Sequence, residues 1–105
     1  MSGGITKHTR GELDVLIERR RQQMVEGYRA AHDDEHTDGS LATAAACYAS
    51  VAGCNTARGM GAKHWPWSID SFKPRDERSN LVRAGALILA EIERLDRAAA
   101  KASDA

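Results

Sequence analysis

The sequence predicts an all-α fold, a small three-helix bundle with a long, aromatic-anchored crossover loop between its second and third helices. Three observations lead there. Apolar residues recur by threes and fours through Leu81, Val82, Gly85, Ile88, Leu89, Ile92 and Leu95, the spacing of one helix face. An alanine-rich run from Leu41 to Ala52 is closed by Gly53, a residue suited to a helix C-terminus. No stretch shows the sustained alternation of a half-buried strand.

The first helix is expected over about residues 10–26. Thr9 and Glu12 stand at capping-box spacing, so the hydroxyl and the carboxylate can each satisfy a backbone amide of the other residue. Leu13, Leu16, Ile17 and Met24 then recur on one side, interrupted by Arg20, and Gly27 ends the run. The opposite face carries Asp14, Glu18, Arg19, Arg21 and Gln22. Gly27 to Gly39 is charged, lacks apolar periodicity and reads as a connection. Asp38, Gly39 and Ser40 offer N-cap choices for a second helix over about 40–53. Its small side chains permit close approach, so it is expected to be the most enclosed helix.

Residues 54–75 read as a long irregular segment, loosened by Gly59 and Gly61 and anchored by Trp65-Pro66-Trp67 and Phe72. Loops of that length are usually functional or disordered. Three of the chain's five aromatics lie in this one, which favours an ordered loop folded onto the helices. Asp76 or Ser79 can cap the third helix, expected over about 77–100. Glu93 with Arg97, and Glu91 with Arg94, stand at pairing distance along it.

The length suits one domain, 1–105, with loose tails over 1–8 and 99–105. Fifteen basic and fifteen acidic residues cancel to a net charge of zero, which argues against general nucleic-acid or membrane-surface binding. No run approaches the roughly 18 apolar residues that span a bilayer. Met1-Ser2-Gly3-Gly4 lacks the apolar core of a signal peptide, so a cytoplasmic location is expected. Cys47 and Cys54 are then expected as reduced thiols. The third helix carries more apolar surface than two short partners cover, and a homo-oligomer, dimer or higher, is expected.

The chemistry concentrates in His32-Asp33-Asp34-Glu35-His36-Thr37-Asp38-Gly39. Imidazoles with carboxylates suit divalent transition metals, and carboxylates alone suit magnesium. On a helix His32 and His36 would share a face. The same acids also stabilise a following helix N-terminus, and Asp33 or Asp34 can pair with Arg19–Arg21 or Arg29. Trp65 and Trp67 can offer rigid stacking faces, or can staple the loop to the core. Lys63, His64, Lys73 and Arg75 add cations able to meet phosphate. No Ser-His-Asp arrangement, glycine-rich phosphate loop or HExxH motif is legible, and nothing near Cys54 in sequence would lower its pKa.

Taken together, Glu18-Arg19-Arg20-Arg21-Gln22, Glu26-Gly27-Tyr28, His32 to Gly39, Ala44-Ala45-Ala46-Cys47-Tyr48-Ala49, Trp65-Pro66-Trp67, Lys73-Pro74 and Leu81 to Arg97 resemble a family of small proteins from tailed bacteriophages and prophages. The resemblance covers roughly residues 15–97. It implies an accessory phage protein acting in the host cytoplasm, in a class that includes nucleotide-metabolism enzymes and inhibitors of host defence. Ser71-Phe72 departs from the family, where a tryptophan pair would be expected.

Three functional readings fit these residues. In the first, a non-enzymatic helical oligomer binds a small phosphorylated ligand or a host protein. Arg19, Arg20 or Arg21 would hold phosphate, Trp65 and Trp67 would stack, and His32, Asp33, Asp34 and His36 would read polar edges, with no cofactor and no metal. In the second, an all-α magnesium-dependent nucleotide pyrophosphohydrolase uses Glu18, Asp33, Asp34 and Glu91. In the third, the chain is a structural or interaction module, and the acidic-histidine turn only caps and pairs.

Overall fold

The computed structural model describes residues 7–53 and 58–104, and every regular element among them is helical. Five α-helices follow in order: α1 (Arg10–Met24), α2 (Ala30–Asp34), α3 (Ser40–Gly53), α4 (Arg58–His64) and α5 (Glu77–Asp104), with a 3-10 turn at Ile69–Ser71. Cys54 and the start of the N-terminal arm, for which expectations were set out above, lie outside the described residues. No helix among the described residues is long and apolar enough to cross a membrane.

Helix α1 opens with the expected box: the Glu12 amide donates to Thr9 Oγ1 at 3.1 Å and the Thr9 amide to Glu12 Oε1 at 3.0 Å. Past its end, Gly27 takes a φ of 77°. That left-handed turn brings the Tyr28 amide back to the Gln22 carbonyl at 2.9 Å. Asp38 accepts from the Ser40 amide ahead of α3, and Asp76 accepts from the Ser79 amide ahead of α5.

Helices α3 and α5 form the spine. Leu41, Ala44, Ala45 and Tyr48 meet Ala84, Leu87 and Ala90 in the core, joined by Cys47 and Trp65. α3 is the enclosed helix, with eight buried residues, because alanines on both partners let the backbones approach. The segment expected to be irregular holds a helix instead. α4 folds back along α3 at Gly61, where a Cβ would fall 2.8 Å from Val51 Cγ1 and 3.1 Å from the Cys47 carbonyl. The glycine that weakens helix propensity there is what permits the contact. Helix α5 likewise runs on to Asp104 rather than fraying near residue 100.

Both apolar stripes face outward. Leu13, Leu16, Ile17 and Met24 are exposed on α1, and its buried side chains are Arg19 and Gln22. On α5 the buried positions are Asn80, Ala84, Ala86, Leu87 and Ala90, while Leu81, Ile88, Ile92 and Leu95 stand outside. A charged network occupies the ground between α1, α2 and α5, so α1 turns its polar side inward.

Candidate functional site

The acidic-histidine turn is built into that network. Asp33 is fully buried, and its Oδ2 accepts from Arg19 Nη2 at 3.1 Å. The same guanidinium donates to Glu93 Oε1 at 2.9 Å and to the Tyr28 carbonyl at 3.1 Å. Arg97 donates to Asp34 Oδ1 at 2.8 Å, and that bond holds the Asp34 carboxyl below its ordinary range. Arg94 meets Glu91 at 2.6 Å as expected. Glu93 and Arg97, expected to pair with each other, instead reach across to Arg19 and Asp34.

Glu18 is held by Arg21 at 2.7 Å. Burial opposes its charge, but the Arg21 hydrogen bonds and charge outweigh burial, and the carboxyl sits below its usual range. Each of the four acids that the magnesium reading would use is therefore paired with an arginine: Glu18 with Arg21, Asp33 with Arg19, Asp34 with Arg97 and Glu91 with Arg94. Among the described residues no group of three His, Cys, Asp or Glu side chains is placed to hold a metal ion.

The histidines join an aromatic column. Tyr28 stacks on His32 at 5.0 Å, His32 meets His36 edge-on at 4.6 Å, and His36 leans on Trp67 at 5.1 Å. The two Nε2 atoms lie 3.3 Å apart, a distance at which one donates to the other. Burial in this column pushes the Tyr28 phenol up to about 12. Trp65 is only 9% exposed, and its indole nitrogen donates to the Ser68 carbonyl and to Ser71 Oγ, both at 3.0 Å. Tyr48, Trp67 and Phe72 pack around its ring. The stacking surface expected of Trp65 is thus taken up by the protein's own rings.

The expected site residues therefore separate. Arg19, Asp33, Asp34, His32, His36, Trp65 and Trp67 meet, but chiefly to bind one another. Arg20 stands exposed on α1, and Arg21 turns to Glu18 and Glu26. Cys47 is a buried free thiol whose pKa burial raises, which suits packing and not nucleophilic chemistry.

An open apolar face runs along α5. Leu81, Ile88, Ile92 and Leu95 are 50%, 49%, 48% and 52% exposed. With Gly85, Ala99 and Ala102 they repeat by fours and threes over three heptads, the pattern of a coiled-coil seam. Two grooves flank the Ile88 ridge. One, of about 520 Å³, lies toward α1 between Val15, Leu16, Gly85, Ile88 and Leu89. The other, of about 250 Å³, lies toward α3 along Ala42, Ala46, Ala49 and Ile92. The stripe's spacing was legible in the sequence, but the grooves were not, since they depend on how α1 and α3 cross α5.

Fold and surface define a small α-helical protein with an uncovered heptad face. Compared with known proteins, the chain matches no protein-family model, no curated protein and no solved structure.

Proposed function

We propose that the chain is a non-enzymatic interaction module that works as a homodimer assembled on the α5 seam. The half exposure of Leu81, Ile88, Ile92 and Leu95 carries this reading. Among the described residues, six of the twelve buried apolar residues are alanines, whereas ten larger apolar side chains are exposed. The isolated chain thus leaves its better hydrophobic material outside.

A second copy fits the seam. In an antiparallel pairing each heptad a position meets a d position, which sets Gly85 against Leu95, Ile88 against Ile92 and Ala99 against Leu81 of the other copy. A large side chain then faces a small one at both ends, and the Gly85 groove receives Leu95. Glu91 would approach its own copy near the two-fold axis, and its partner Arg94 at 2.6 Å offsets that repulsion.

Magnitudes set the strength. Covering the exposed half of a Leu or Ile side chain is worth on the order of 1 kcal/mol. Eight such side chains in a pair then only just meet an association cost of about 4–15 kcal/mol. The grooves along α1 and α3 must contribute too, and the dimer is expected to be concentration-dependent.

The accessory-phage setting implied by the resemblance suits a protein that acts by occupying a surface. Sedimentation of the full chain should show a dimer fraction growing with concentration. Ile88→Asp should be monomeric with its helical circular dichroism intact. A wild-type chain that stays monomeric at every concentration would sink the proposal.

A further inference from the structure

A second cleft, beside the N-terminal end of the seam, has a different chemistry. It lies between the middle of α1 and the first turns of α5, with a volume of about 320 Å³. Four arginines line it: Arg21 from α1, Arg75 from the segment before α5, and Arg78 and Arg83 from α5. Two carboxylates line it as well, and each is engaged. Glu18 holds Arg21 at 2.7 Å, and Asp14 holds Arg78 at 2.8 Å. Four cations against two anions leave two positive charges, in a chain whose overall charge is zero.

Arg75 and Arg83 have no carboxylate within ion-pair distance among the described residues, and act only at longer range on Asp76 and Glu18. Arg83 is fixed in place: its guanidinium lies 5.7 Å over the Tyr48 ring and donates to the Lys73 carbonyl. Arg78 spends one Nη on Asp14, and a guanidinium has further donors in its fork. Fixed guanidinium forks recognise the oxygens of a phosphate more specifically than flexible ammonium groups do.

We propose that this cleft binds a small phosphorylated molecule through its phosphate oxygens, with Arg75 and Arg83 as the principal donors and Arg78 in support. The crevice beyond Arg21 and Arg83, toward Tyr28, Tyr48 and Trp65, has only about 20 Å³, room for about one water. A nucleobase has no place there, so the ligand is read by its phosphate alone. The sequence offered Arg21 and Arg75 separately as cations for phosphate; the fold brings them together and adds Arg78 and Arg83 from α5. Arg78 stands one step before Leu81 on the seam's repeat, but the principal donors Arg75 and Arg83 lie off it, so loss of the dimer and loss of phosphate binding are separately readable.

Titration of the full chain with pyrophosphate at low ionic strength, followed by calorimetry, tests it. Binding is expected to weaken as salt is raised. ATP and UTP should bind alike, since no base is recognised. Arg75→Glu, at an exposed position that leaves the core untouched, should lower pyrophosphate affinity by about tenfold or more while leaving the oligomeric state unchanged. Arg20→Glu makes the same charge change outside the cleft and should have little effect. No heat with pyrophosphate overturns the proposal. So does an equal loss in both variants, which would mean general charge attraction and no site.

Discussion

Arg19 holds three elements together through one guanidinium, since Asp33 comes from α2, Glu93 from α5 and the Tyr28 carbonyl from the chain between α1 and α2. Arg19→Met would leave the Asp33 carboxylate buried and without its cation. Removing one partner of a buried pair costs about 3–5 kcal/mol, to be read as a lower denaturant midpoint at unchanged slope. The double variant Arg19→Met with Asp33→Leu should recover most of the loss, because replacing both partners by apolar groups is often nearly neutral. A double variant as unstable as the single one would shift the weight to Glu93 and Tyr28. Glu18 adds a pH dependence of definite sign. Its folded carboxyl lies below its ordinary value of 4.5. Its contribution is therefore complete above that value and disappears as pH falls through the folded pKa. Glu18→Gln should therefore lower stability near neutrality, where the contribution is complete, and flatten the acid limb below about pH 4.5, so that the two proteins converge in acid. Of these contacts, the sequence offered Asp33 with the arginine knot as a capping and pairing alternative. It could not show that Glu93, 74 positions away from Arg19, completes the set.

At the scale of elements, local signals were legible and long-range ones were not. The Thr9–Glu12 box, Asp76 ahead of α5 and the bounds of α3 follow from side chains acting on their own backbone within a turn. Helix α4 was hidden because Gly59 and Gly61 lower helix propensity, and the contact of Gly61 with α3 is not visible in the sequence. Gly61→Ala tests that account. Alanine in place of glycine should gain about 1 kcal/mol of helix propensity. The new Cβ, however, would press on Val51 Cγ1 at 2.8 Å and the Cys47 carbonyl at 3.1 Å. A backbone oxygen and a β-branched side chain yield little, and overpacking of this kind costs about 1–3 kcal/mol. A net loss of stability is expected in chemical denaturation, and a gain would mean that α4 is not seated on α3 as described. The outward stripes teach the same lesson. Periodicity groups Leu81, Ile88, Ile92 and Leu95 on one face, but it does not say whether that face meets α3 or the outside. Ala84, Leu87 and Ala90 took the inner side because α3 presents alanines there and the two backbones can approach.

For the whole molecule, the imbalance between a small-residue interior and a large-residue surface makes stability a property of the pair. If dimerisation covers the α5 seam only in the folded state, it draws the equilibrium toward folding by mass action. The melting temperature of the wild-type chain should then rise with protein concentration. Ile88→Asp should abolish that rise. Ile88 is already 49% exposed in the single chain, so the substitution harms the lone fold little and its melting curve should be independent of concentration. Its plateau should match the wild-type chain extrapolated to high dilution. Leu41→Ala provides the contrast: Leu41 is fully buried between α3 and α5, and its truncation should lower melting by about the same amount at every concentration while leaving the slope intact. A wild-type melting temperature that does not move with concentration would place the seam outside self-association, whatever the sequence periodicity suggests.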